Sequence, residues 1–76
     1  MRNLGPVSSQ WLAEMGIYTV EELRHAGVIL TYKMLKDRYP RRVSLNLLWG
    51  LAAAERDMDW RDLTEADKQE LLARLK

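Results

Sequence analysis

A chain of 76 residues, 47% hydrophobic and 30% charged, has the balance of one small folded domain and is too apolar for a disordered segment. It has no cysteine, which excludes disulfides and thiolate–metal sites and, in so small a domain, favours a reducing cytoplasm. The net charge of +1 gives no global attraction to nucleic acid, no leader is visible, and no apolar run approaches the roughly 18 residues of a membrane span, so no membrane partner is expected.

Gly5-Pro6 opens the first predicted helix, because proline suits a first turn, where its missing N–H has no partner to lose. Val7, Trp11, Leu12 and Met15 then share one face, and Gly16 supplies a left-handed stop. Thr19 starts a second helix with a capping box: its hydroxyl takes the Glu22 N–H while the Glu22 carboxylate returns to the Thr19 N–H. Val20 and Leu23 point inward, and Gly27 ends the helix. A third helix is predicted from Val28 to Arg38, with Val28, Tyr32 and Leu35 inward and Tyr39 either inward or exposed. The apolar run Val28–Tyr32 also suits a strand, but no second strand exists to satisfy its amides.

Pro40 interrupts, and Arg41-Arg42 form the connection. Ser44 caps a fourth helix, Leu45 to Arg56, in which Leu45, Leu48, Trp49 and Ala52 form one stripe and Leu47, Leu51 and Ala54 another. A helix apolar on most sides must be surrounded, so this one is the expected core element. Asp59–Leu63 reads as a turn in which Trp60 locks the final helix. Thr64 caps that helix, which bears Leu71, Leu72 and Leu75. Residues 1–76 are thus predicted to be a single all-α domain, a compact bundle of about five short helices.

Catalytic material is sparse. His25 is the sole histidine and has no nucleophile or orienting partner in view, so a surface position is expected. One histidine and scattered carboxylates do not make a metal site. Asp57, Asp59, Asp62, Glu65, Asp67 and Glu70 alternate with Arg56, Arg61, Lys68 and Arg74, as on a solvated face with pairs such as Glu70–Arg74. Trp11 and Trp49 lie on core stripes, and Tyr18 is placed in solvent. No glycine pattern suits a phosphate loop or a dinucleotide fold. The expectation is a protein that is not an enzyme, with no cofactor, no metal and no small-molecule substrate.

Two features suit an anion. Asn3-Leu4-Gly5-Pro6-Val7-Ser8 is a glycine-containing turn feeding a helix N-terminus, whose amides and dipole can hold a phosphate; it can equally be only a tight turn. Residues 33–42 hold Lys33, Lys36, Arg38, Arg41 and Arg42 against Asp37, a local charge of +4. Gly5, Lys33, Lys36, Arg41 and Arg42 are therefore the candidate nucleic-acid contacts. A solvated charged surface explains the basic run equally well. Tyr18, Ile29, Met34 and Met58 are the candidate contacts for a protein partner, since aromatics and methionine are enriched at interfaces.

The runs Asn3-Leu4-Gly5-Pro6, Ser9-Gln10-Trp11-Leu12, Gly16-Ile17, Thr19-Val20-Glu21-Glu22-Leu23 and Gly27, then Arg42–Trp49 and Asp59-Trp60 leading to Leu63, resemble the carboxy-terminal domain of TfoX/Sxy-type proteins. The resemblance spans nearly the whole chain in order. It implies a compact helical domain related to helix-hairpin-helix and SAM-like folds. It further implies a regulatory binding module, since full-length TfoX proteins promote transcription of competence genes together with the cyclic-AMP receptor protein. Those regulators join an amino-terminal α/β domain to this module, so the chain is read as a stand-alone relative or a single domain of one. DNA-binding helix-hairpin-helix motifs carry two glycines around a hydrophobic residue, whereas here Gly5 alone matches, followed by Pro6 and Val7. The partners implied are the transcription machinery or a regulator protein, weakly bound DNA, or a second copy of the chain.

Overall fold

The computed structural model describes residues 4–76, so Asn3 of the opening turn lies outside the described residues. Five α-helices follow in order: α1 (Pro6–Glu14), α2 (Val20–Ala26), α3 (Val28–Arg38), α4 (Leu45–Glu55) and α5 (Glu65–Arg74). A single 3-10 turn, Trp60–Asp62, precedes α5, and the described residues include no strand. The Cα radius of gyration is 11.3 Å, matching the roughly 11 Å of a fully collapsed chain of this length. The helices therefore share one core.

Local chemistry sets the ends. Pro6 occupies the first position of α1 behind an extended Gly5. After α1, Gly16 takes φ 78° and donates its N–H to the Ala13 carbonyl, while Ile17 N–H reaches Leu12 O. That pair of reversed bonds closes the helix as a Schellman motif and turns Ile17 into the core. The same closure ends α4 with an aspartate in the glycine-like position: Asp57 has φ 53°, its N–H bonds Ala54 O, and Met58 N–H bonds Ala53 O. Arg24 of α2 then donates through Nε to Glu55 O at 3.0 Å, satisfying another terminal carbonyl of α4.

A full capping box was expected at Thr19 and only a cap at Thr64, and the structure has them the other way round. Glu22 N–H donates to Thr19 Oγ1 at 3.1 Å, as predicted. The Glu22 carboxylate, however, accepts from Tyr18 N–H at 3.0 Å and from the Thr19 hydroxyl at 3.2 Å, and so skips the Thr19 amide. At α5, Asp67 is one methylene shorter and returns to Thr64 N–H at 3.1 Å, completing the box. Chain length decides which amide the third residue finds.

Asp67 also meets Arg56 of α4 at 3.3 Å. The Thr64 N–H and then its hydroxyl hold the carboxyl below the usual carboxylate range, against an opposing effect of burial and with a lesser contribution from Arg56. A carboxyl depressed in the folded state stabilises the fold above its unfolded pKa and loses that stabilisation as pH falls through the folded value. Asp67→Asn is therefore expected to melt at a lower temperature than the parent at pH 7. The gap should close on acidification from about pH 4 toward about pH 2. Melting curves by circular dichroism across that window check it; a gap independent of pH refutes it.

The closest helix packing is among α2, α3 and α4, and α4 also abuts the 3-10 turn. Leu12, Leu23, Leu35, Leu48, Leu51 and Leu71 are fully buried, and Ala52, Ala53 and Ala54 let neighbours approach the α4 backbone. The central place of α4 is thus as expected, with three adjustments. Val7 and Leu45 are exposed, each in the first turn of its helix, and Val7 borders the hollow where α1 and α4 part. Trp49 is half-buried, with the Lys68 ammonium 5.6 Å from its ring centre. Trp60, expected to lock α5, is half exposed on the 3-10 turn. Thr31 goes the other way: it is buried on the inner face of α3 and its hydroxyl has no hydrogen-bond partner, a position that polarity alone conceals.

Candidate nucleic-acid interface

Gly5 is extended (φ −76°, ψ 175°), and its carbonyl accepts the Ser9 N–H at 2.9 Å. The next amides, Val7 and Ser8, belong to the first turn, where an α-helix offers no internal acceptor. Ser44 opens α4 in the same way (φ −125°, ψ 175°). Its carbonyl takes the Leu47 N–H at 3.0 Å, and its hydroxyl makes no capping bond. These two helix starts face one hollow of about 250 Å³, lined by Leu4, Val7, Ser8 and Trp11 on one side and by Arg42, Ser44, Asn46 and Leu47 on the other. Two positive dipole ends, an arginine and three polar side chains thus converge on one site.

Arg42 is held over the Trp11 ring, 5.4 Å from its centre. Trp11 in turn stacks on Tyr39 at 4.9 Å with the rings 19° apart, and the Arg38 guanidinium lies 5.6 Å from the Tyr39 ring. The Tyr39 hydroxyl donates to the Glu14 carboxylate at 2.7 and 3.0 Å. That bond, then burial, raises the Tyr39 pKa above its ordinary value despite the nearby Arg38. Tyr39 falls between the two places offered by the sequence: its ring packs against the core, half-buried, while its hydroxyl stays at the surface. Tyr39 stacks against α1 and so anchors the surface that carries Arg42.

The basic run is divided by the fold. Lys36 is half-buried, and its ammonium donates to Pro40 O at 3.0 Å and Val43 O at 2.7 Å. Proline ends α3 and turns these carbonyls back toward the helix, within reach of a lysine one turn earlier. Lys36 therefore closes the α3–α4 loop, and its role as a free phosphate contact is corrected. Lys33 borders a different, open hollow with Tyr32, Lys36, Asp37 and Pro40, which shares no lining residue with the first. Arg41 is exposed in the loop. Of the five candidates, Arg42 lines the hollow and Gly5 precedes the α1 turn that faces it without lining it; Lys33 stands elsewhere. Ser8, Ser44 and Asn46 join Arg42, and the signal that marks all three in the sequence is their position in the first turns of helices.

The candidate protein contacts also separate. Tyr18 is 67% exposed and Met34 is 50% exposed, whereas Ile29 and Met58 are half-buried, Ile29 against the core. Leu30, 56% exposed, was hidden in an apolar run whose other members line the core. His25 is exposed in the last turn of α2, and no cluster of three or more potential metal ligands occurs among the described residues. Glu70 and Arg74 form no ion pair; the described pairs are Arg56–Asp67, Arg61–Asp59 and a longer Arg38–Glu14 contact at 3.9 Å.

The family model of the TfoX C-terminal domain matches residues 1–75. The chain belongs to that family. No curated protein and no solved structure matches it. In this TfoX C-terminal domain, Leu4 and the first-turn residues Val7 and Ser8 line one wall of the hollow, and Arg42 and Ser44 line the other. Among the described residues, no helix is long and apolar enough to cross a membrane.

Proposed function

We propose that this TfoX C-terminal domain is a non-enzymatic regulatory module of the cytoplasm that contacts the phosphate backbone of DNA weakly, in support of transcriptional regulation. The observation that carries the reading is the convergence of the α1 and α4 first turns with Arg42 on one hollow. First-turn amides and a helix dipole favour an anion without reading sequence, and a stacked guanidinium presents its N–H edge with little entropy to lose. A contact of two or three phosphates implies modest affinity and strong salt sensitivity.

Fluorescence anisotropy with a labelled duplex tests it. Affinity is expected to fall by roughly 60-fold or more for a tenfold rise in salt, as two or more displaced counterions require. Arg42→Glu should weaken binding at least about tenfold, while Lys33→Gln, on the other hollow, should leave it nearly unchanged. Circular dichroism confirms that both variants fold. Absence of binding at low salt, or equal losses in the two variants, sinks the proposal.

A further inference from the structure

The outward face of α3 is unusual for a charged helix. Leu30 and Met34, one turn apart, are both at least half exposed. Lys33 and Asp37 stand beside them, to one side of the apolar pair, by the 100° step of the helix. Both are exposed, and neither side chain forms an ion pair or hydrogen bond among the described residues. They are four residues apart, but the lysine comes first, the less favourable order for pairing within a helix. Arg38, on the opposite side, is already engaged with Glu14 and Tyr39. What remains is an apolar pair flanked by one unspent positive and one unspent negative charge.

We infer that α3 carries a self-association surface on which a second copy of this chain packs antiparallel about a twofold axis near Met34, with Lys33 of each copy facing Asp37 of the other. The charges select this occupant. A twofold axis lying in the interface and perpendicular to the helices keeps each flank on its own side while reversing the chain direction. With the axis level with position 35, half a turn or less from Met34, Lys33 sits about 3 Å to one side and Asp37 of the second copy about 3 Å to the same side, so the two groups lie level, while the two Lys33 groups stand about 6 Å apart along the axis. Two equivalent ion pairs then frame the contact. A parallel copy would carry its charged flank to the opposite side and leave all four charges unpaired. A strongly acidic or basic partner would satisfy one of Lys33 and Asp37 and repel the other. Met34 of each copy meets its twin at the centre, where its flexible thioether fits a self-complementary gap, and Leu30 lies one turn away. The patch is small, and the dimer belongs with the weak, transient interfaces.

Sedimentation equilibrium from about 10 µM to about 1 mM tests it. The parent is expected to be monomeric at the low end and substantially dimeric at the high end. Met34→Glu and Leu30→Glu should each weaken the dimer about tenfold or more. Lys33→Asp and Asp37→Lys should each weaken it about fivefold through like charges, and the double exchange should restore the parent constant to within about twofold. All five variants alter exposed positions, and their melting curves confirm that the fold is kept. Arg42→Glu, which disables the proposed anion site, should leave dimerisation unchanged, so the two readings stand or fall separately. A strict monomer throughout the range, a dimer indifferent to Met34→Glu, or a double exchange that fails to restore association overturns the inference.

Discussion

Leu48→Ala is expected to destabilise the domain by about 3 kcal/mol. Leu48 is fully buried on the helix around which α2 and α3 pack. Removing its isobutyl group loses transfer free energy and leaves a cavity that rigid helices close only in part. A domain of this length is stable by roughly 4 to 11 kcal/mol, so the loss is a large fraction of the whole. At roughly 4 to 8 °C per kcal/mol, the melting temperature should drop by at least about 12 °C. Leu45→Ala is the matched control: the same side chain, the same helix, but exposed, and expected to change stability by less than about 0.5 kcal/mol. Urea unfolding followed at 222 nm separates the two. Similar midpoints for both variants would contradict the packing described for α4.

The second large effect is at Trp11, where truncation to alanine is expected to cost about 3 to 5 kcal/mol. Trp11 is 9% exposed, stacks on Tyr39 and lies under Arg42. Its ring is the principal apolar link between α1 and the end of α3, and an aromatic pair adds about 0.5 to 1.5 kcal/mol beyond the area it buries. Losing it should therefore loosen α1 as a unit, visible as lost near-ultraviolet ellipticity and faster amide exchange from Val7 to Glu14. Trp60→Ala, on a half-exposed ring, should cost less than about 1 kcal/mol. Tyr39→Phe keeps the stacked ring and removes only the bond to Glu14, so it should retain most of the stability. If Trp60→Ala proves as damaging as Trp11→Ala, the roles assigned to the two rings are wrong. Trp11→Ala also removes the platform under Arg42, so DNA affinity should fall even at temperatures where the variant is folded.

The boundaries of α3 and the starts of α1, α2, α4 and α5 were legible because each is set by chemistry within four residues. Pro6 fixes a first turn, Gly16 and Gly27 reverse the chain at positive φ, and Thr19 and Thr64 bond the amides three positions on. The burial of Leu12, Leu23, Leu35, Leu48 and Leu51 followed from helical spacing for the same reason. Trp60, Leu30 and Thr31 were misplaced or missed because spacing tells which residues share a face and leaves open how far a neighbouring helix reaches across that face. Thr31 is buried where α3 meets other helices, and Leu30, one residue earlier, is turned 100° away into solvent.

The candidate site divides along the same line. Composition alone determined that the chain is a small folded domain without disulfide or thiolate chemistry, and apolar spacing with local motifs determined that it is all-α and where its helices start and stop. Which charges act together was decided only by tertiary structure. Lys33, Lys36 and Arg42 fall within ten residues, yet the proline turn spends Lys36 on two carbonyls, leaves Lys33 beside Asp37, and carries Arg42 across to the start of α1. A charge sum along the chain is insensitive to that division, because electrostatic contact depends on distance and direction in space, and a helix followed by a reversal scatters neighbours in sequence onto different faces.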